Sequence, residues 1–288
     1  MPDLTFRGRR LHRDRALVMA IINRTPDSFY DRGATFDPAD ALEAVRRAIG
    51  EGADVVDVGG VKAGPGSAVD VGTETERTVP FIEIVRETFP EAVLSIDTWR
   101  AEVAEAAVRA GADIVNDTWA GHDPGVVEVA AAHRTGFVCS HTGGAAPRTR
   151  PHRVAYADVV DDVVHATTTA ADAAERAGVP AEGLLIDPTH DFGKNTHHGL
   201  ALLRRVDELV TTARPVLMAL SRKDFVGETL DLPPDQRLEG TLAATTVAAL
   251  AGCAMFRTHD VTATVRVLQM TASISGERPP TRAVRGLA

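Results

Sequence analysis

The residues best placed for chemistry in this 288-residue chain are polar side chains that end apolar runs. The sharpest case is the stretch 184–194, Leu-Leu-Ile-Asp-Pro-Thr-His-Asp-Phe-Gly-Lys. Three apolar residues lead into Asp187, and Pro188 stops further strand pairing. A carboxylate at the end of a buried strand is costly without a partner. One such Asp, alone, reads as a cap for the next helix. The pattern recurs, however, at Asn23, Asp57, Asp97, Asn116, His141, Arg222 with Lys223, and Arg257 with His259.

These residues fall into two chemical groups. Asp97, Asn116, Asp187 and Lys223 mix acceptors and donors, a set that suits a flat heterocycle with an amidine-like edge and a carbonyl. Arg257 and His259, followed by Thr262, Ala263 and Thr264 at the start of the last helix, are suited to an anion. Arg222 is also near this second, anion-binding group, although Ser221-Arg222-Lys223 also reads as a solvated strand end.

The elements that must position these groups alternate along the chain. Residues 4–14 read as a short hairpin turning near Gly8. Strands are then expected at 17–22, 54–58, 93–97, 114–116, 137–140, 184–187, 216–220 and 254–257. Helices are expected at 38–51, 73–89, 100–110, 124–133, 158–177, 199–213, 235–250 and 262–273. The strands are solidly apolar, as strands covered on both faces are. The helices repeat apolar residues at three- and four-residue spacing, for instance Ala41, Ala44, Val45 and Ala48. Gly52-Ala53-Asp54 and Gly111-Ala112-Asp113 repeat one helix-stop, strand-start punctuation.

Eight such units predict an α/β fold: a (β/α)₈ barrel, or TIM barrel, with an N-terminal hairpin, forming one domain over 1–288. An open doubly wound sheet is the structural alternative. In a barrel all the strand C-termini share one rim, where the polar ends would converge. The Gly- and Pro-containing segments 24–37, 59–72, 142–157 and 188–198 are then the loops of the site.

Composition narrows the function. A formal charge of −9 argues against nucleic acid or an anionic membrane as the main partner. No apolar run reaches the roughly 20 residues that span a bilayer, and no signal-like segment opens the chain, so a cytoplasmic protein is expected. The two cysteines, Cys139 and Cys253, lie in apolar runs and read as core thiols.

The motifs resemble those of the dihydropteroate synthase family. Ile22-Asn23-Arg24-Thr25-Pro26-Asp27-Ser28-Phe29 is similar to that family's first-strand signature. Ser95-Ile96-Asp97-Thr98, Asn116-Asp117, Asp187-Pro188 with Phe192-Gly193-Lys194, Ser221-Arg222-Lys223 and Arg257-Thr258-His259-Asp260 follow in the family's order. The resemblance implies a homodimeric barrel that condenses 6-hydroxymethyl-7,8-dihydropterin diphosphate with p-aminobenzoate and uses Mg²⁺. By the same resemblance Asp97, Asn116, Asp187 and Lys223 hold the pterin. Asn23 touches Mg²⁺ and diphosphate, Arg257 and His259 bind the leaving diphosphate, and Phe192 and Ser221 lie near the aminobenzoate path. Lys223, Arg257 and His259 are then the catalytic candidates. Such chemistry needs positioning and anion stabilisation rather than a strong nucleophile.

The sequence departs from the family at its loops. The second loop reads Gly59-Gly60-Val61-Lys62-Ala63-Gly64-Pro65-Gly66-Ser67, with Ala63 and Gly64 where the family has Thr and Arg. Lys62 supplies charge but not a planar fork. Losing one donor to a transition-state anion costs roughly 2–4 kcal/mol, or about a hundredfold in rate. Arg24, Thr189-His190-Asp191 and Ser140-His141-Thr142 differ as well. Two further readings follow: a divergent member that binds a pterin or related anion without synthase activity, and a pterin-dependent methyltransferase domain. The latter normally works beside a corrinoid domain, for which this chain has no room.

Overall fold

Alternation along each strand explains the architecture. The computed structural model describes residues 2–25, 37–149 and 155–285. Pro26-Asp27-Ser28-Phe29, part of the first-strand motif, and portions of the 24–37 and 142–157 loops lie outside them.

Strands β1 (Leu4–Phe6) and β2 (Arg9–Leu11) form the expected antiparallel hairpin. Eight strands follow: β3 (Leu17–Asn23), β4 (Val55–Gly59), β5 (Val93–Asp97), β6 (Ile114–Asp117), β7 (Gly136–Ser140), β8 (Leu184–Asp187), β9 (Leu217–Met218) and β10 (Met255–Thr258). They pair in parallel in the order β8-β7-β6-β5-β4-β3-β10-β9. A parallel bridge between Ile186 and Val216 joins the two edges, with the Ile186 N–H donating to the Pro215 carbonyl at 2.9 Å. The sheet is therefore a closed (β/α)₈ barrel rather than an open one.

The helices are α1 (Pro38–Gly50), α2 (Val71–Thr88), α3 (Ala101–Ala110), α4 (Gly125–His133), α5 (Val159–Ala177), α6 (Thr196–Arg204), α7 (Val206–Val210), α8 (Asp224–Leu230), α9 (Leu238–Leu250) and α10 (Val261–Ile274). Asp37, Asp70 and Asp158 cap α1, α2 and α5 by accepting first-turn amides. Among the described residues, no helix is long and apolar enough to cross a membrane.

Two differences from the sequence reading matter. The helix expected at 199–213 divides at Arg205, which leaves helical geometry while its guanidinium bonds Asp158, Asp161 and Glu208. Helix α8 was not anticipated. Gly227 lies mid-helix and lowers the local propensity, which hides it. A Cβ there would lie 2.2 Å from the Arg237 guanidinium carbon, so any larger residue would displace that side chain.

Side chains alternate across the barrel wall. Val18, Ala20, Val56, Val58, Leu94 and Ile96 pack outward against the helices. Leu17, Met19, Val55, Val93, Ile114, Val138, Leu185, Leu217 and Met255 fill the interior. Leu4 and Phe6 of the hairpin join that inner cluster and plug the N-terminal end. The fit is close: a Cβ on Gly136 would lie 2.4 Å from the Phe6 ring. Following the same two-residue period upward, Asp57, Ser95, Asp97, Asn116, Asp187, Arg257 and His259 face inward above this apolar plug.

Candidate small-molecule site

The polar upper barrel opens into a cleft of about 350 Å³. Asn23, Asp97, Phe192, Ser221, Lys223, Arg257 and His259 all line it. Asp187 and Asn116 do not. Each is 2% exposed and forms part of the floor beneath the cleft. The predicted set thus occupies one end of the barrel, in two layers.

Arg257 organises the lower layer. Its Nε donates to Asp57 Oδ2 and its Nη2 to Asp97 Oδ2, both at 2.7 Å. Burial works to lower the Arg257 pKa, but the two carboxylates outweigh it and hold the value above the ordinary one. Asn116 Nδ2 reaches Asp57 Oδ2 at 3.4 Å, and the Thr118 hydroxyl donates to Asp97 Oδ1. Burial pushes the Asp97 carboxyl up to about 6, against the pull of Arg257. Asp57 Oδ1 and the neighbouring Ser95 hydroxyl are buried without hydrogen-bond partners among the described residues.

Lys223 donates to the His190 carbonyl at 2.5 Å, and its ammonium lies 5.0 Å from the Phe192 ring centroid. Burial lowers its pKa, while Asp191 and Asp187 oppose the shift. Asp187 accepts the Thr189 N–H at 2.7 Å, and burial raises its pKa against Lys223. Asp191 caps α8, accepting the amides of Asp224 at 2.6 Å and Phe225 at 3.3 Å. On the far wall Ser221 Oγ lies 2.9 Å from His259 Nδ1 and accepts the His259 N–H at 3.2 Å.

The anion group expected around the last helix is built differently. Arg222 is buried and forks onto Asp260, with Nε and Nη2 each at 2.8 Å. Thr264 bonds Thr258 at 3.0 Å, and the first turn of α10 does not line the cleft. That guanidinium therefore holds the chain's own carboxylate at the helix start. Arg24 also turns away. It stacks 4.8 Å over Phe81 and bonds the Arg77 carbonyl.

Trp119 is a lining residue that the sequence reading missed. It meets Phe192 edge-on at 4.8 Å and backs onto Trp99 at 6.4 Å, making an aromatic wall. Asp117 positions it by accepting the Trp119 and Gly121 amides at 3.1 and 2.6 Å. The available signal was a tryptophan two residues beyond the strand-terminal Asn116-Asp117 pair.

The loops after β7 and β8 are joined to each other. Lys194 is buried and donates to the carbonyls of His141 and Phe192 at 2.7 and 3.0 Å, while Tyr156 bonds the Gly193 carbonyl at 2.7 Å. Burial lowers Lys194 to about 7. His141 gives Nε2 to Asp162 at 2.7 Å, yet burial and Lys194 lower it to about 4, so the neutral imidazole carries its proton on Nε2. Cys139 and Cys253 are buried and raised to about 12, inert as expected.

Val61, Lys62, Ala63, Gly64 and Pro65 form the opposite lip. Arginines hold this second loop from behind: Arg77 at Gly60 O (3.1 Å), Arg100 at Val69 O (2.6 Å), and Arg148 at Gly64 O (3.3 Å) and Ser67 O (2.5 Å). Arg100 is itself anchored on buried Glu74.

Fold and site define a barrel with a small-molecule cleft whose contacts are hydrogen bonds and aromatic faces. A profile of the family described as pterin binding enzyme matches residues 19–259. The chain is 64% identical over 285 residues to inactive dihydropteroate synthase 2 of Mycobacterium leprae, covering 98% of each chain. The Yersinia pestis dihydropteroate synthase, solved with a sulfonamide drug, superposes with a TM-score of 0.90 at 33% identity, covering 96% of this chain and 100% of that one. The Xanthomonas albilineans enzyme, solved with 7,8-dihydropteroate, gives 0.83 at 39% identity, covering 95% and 99%. The chain belongs to the pterin-binding enzyme family that includes the dihydropteroate synthases.

Proposed function

We propose that this chain binds a pterin in its cleft and does not condense it with p-aminobenzoate. The carrying observation is the second loop. Ala63 and Gly64 line the cleft where the family motif has Thr and Arg, so this lip offers a methyl group and backbone in place of a hydroxyl and a guanidinium. The name of the Mycobacterium leprae relative supports the same reading. Asp97, Lys223, Arg257 and His259 supply acceptors and donors for a ring, with Trp119 and Phe192 as its aromatic wall.

A synthase with p-aminobenzoate as second substrate is the other reading, favoured by the seven family-motif side chains that line one cleft. Mg²⁺ fits neither reading as a resident ion. Among the described residues, no group of three or more His, Cys, Asp or Glu is placed to hold a metal, and Asn23 supplies only an amide oxygen. Mg²⁺ keeps several waters and relies on substrate phosphates, so through Asn23 it would have to arrive with a phosphate-bearing ligand. A second copy of the chain is the proposed protein partner.

Calorimetry with 6-hydroxymethyl-7,8-dihydropterin tests the binding reading. Lys223→Ala is expected to weaken binding about tenfold or more, the loss of a hydrogen bond involving a charged group. Equal affinity for wild type and variant would remove this cleft as the site.

A further inference from the structure

We propose that Asp191 is a specificity-determining residue: it makes the Phe192 side of the cleft disfavour an aromatic carboxylate and accept an aromatic ring that carries an amide or a cationic amidine-type group instead. This rests on the pterin-binding reading and names the class of second ligand that fits beside the pterin.

Thr189-His190-Asp191 is where this chain departs from the family's glycine-rich loop motif, yet its backbone keeps a shape that suits glycine. Thr189 has a φ of 51° and Asp191 a φ of 70°, both in the left-handed region. A β-branched residue rarely adopts that region, and such strain persists only where the surroundings fix it. Here they do. The Thr189 hydroxyl donates to the Asp187 carbonyl at 2.9 Å and accepts the His141 N–H at 3.2 Å. Asp191 is held by the amides of Asp224 and Phe225.

The side chain so held puts a carboxylate in the cleft wall. Asp191 lines the cleft next to Phe192, and Asp224 lines it at the start of α8. Asp224 is paired with Arg237 at 2.9 Å. Asp191 is met by the two amides and faced by Lys223, whose own hydrogen bond goes to the His190 carbonyl. Burial raises the Asp191 pKa, while Lys223 and the amides hold it back. Each Asp191 oxygen accepts one amide and keeps a second lone pair for a ligand donor.

Phe192 and Trp119 supply the flat surface beside it. A ring lying there with a carboxylate towards Asp191 sets like charges together in a half-buried place, where screening is weak. An amide N–H or an amidinium meets an acceptor instead. Lys62 stands on the opposite lip as a flexible point charge and leaves this asymmetry in place.

Three probes of one shape separate the charges: p-aminobenzoate, p-aminobenzamide and p-aminobenzamidine. Each is titrated calorimetrically at neutral pH into wild-type protein saturated with 6-hydroxymethyl-7,8-dihydropterin. The amidine is expected to bind about tenfold more tightly than the amide, and the amide about tenfold more tightly than the acid. Added salt should weaken the amidine and leave the amide unchanged. Asp191→Asn keeps an oxygen for the α8 amides and removes the charge, so it is expected to bring the acid and the amidine to similar affinity. The order and its salt dependence are read in wild type, so the test stands even if that variant fails to fold. An acid that binds as tightly as the amide, an order that survives in folded Asp191→Asn, or no heat from any probe overturns this proposal and leaves the pterin reading standing. No heat from the pterin itself, titrated first, overturns both.

Discussion

Asp97 meets Arg257, Thr118 and the open cleft together, so its protonation state decides what the site can accept. Its pKa is raised from 3.8 to about 6, so the carboxylate is an acceptor above that pH and is protonated below it. The fold binds the proton more tightly than the unfolded chain does between those values. Asp97 therefore costs stability above about pH 6, and this cost is relieved as the pH falls towards 3.8. Ligand binding through an N–H donor runs the opposite way. Affinity is expected to fall about tenfold at one pH unit below 6, where roughly a tenth of the group stays ionised, and a pH series of titrations checks it. Flat affinity across that range would place the donor edge elsewhere. At this scale the sequence was informative about residue type but not about pairing. A polar residue at the end of each apolar run, on a two-residue period, was enough to aim Asn23, Asp97, Lys223 and Arg257 at one mouth. That Arg257 would be held by Asp57 and Asp97 could not be read, because those partners lie 200 and 160 residues away.

Among the elements, the second loop separates this chain most clearly from the family motif. It is pinned through its carbonyls by Arg77, Arg100 and Arg148, and at Ala63 and Gly64 its inner surface carries no side-chain donor. A Cβ at Gly64 meets nothing nearer than Lys62 Cε at 3.8 Å, so the position has room for a side chain. Ala63→Thr with Gly64→Arg is therefore expected to fold normally and to raise affinity for inorganic diphosphate at least about tenfold, as a charged donor to phosphate should. Unchanged affinity in the folded double variant would show that the lip does not control anion binding. The altered loop was legible in sequence because the flanking glycines fix its register. Helix α8 was not. It depends on Asp191, from another loop, accepting its first amides, and on Gly227 fitting under Arg237.

For the whole molecule, the barrel was legible because eight apolar runs alternate with eight amphipathic ones, while the second role of the hairpin was not. Phe6 and Leu4 close the bottom of the barrel, a long-range contact that local pattern cannot show. The outer surface carries a further pattern. Val247 and Leu250 on α9 and Met270 and Ile274 on α10 are 51–64% exposed on two helices packed together. We propose this face as the contact between two copies. Light scattering is expected to give a dimer mass for wild type and a monomer mass for Leu250→Glu with Met270→Glu, and a dimer in both would move the interface elsewhere.

The central claim, a pterin-family cleft that has given up condensation, is tested most directly by dihydropteroate formation. Purified wild-type chain would be incubated with 6-hydroxymethyl-7,8-dihydropterin diphosphate, p-aminobenzoate and Mg²⁺. The account predicts product no faster than in the protein-free control; steady turnover that scales with protein concentration would contradict it.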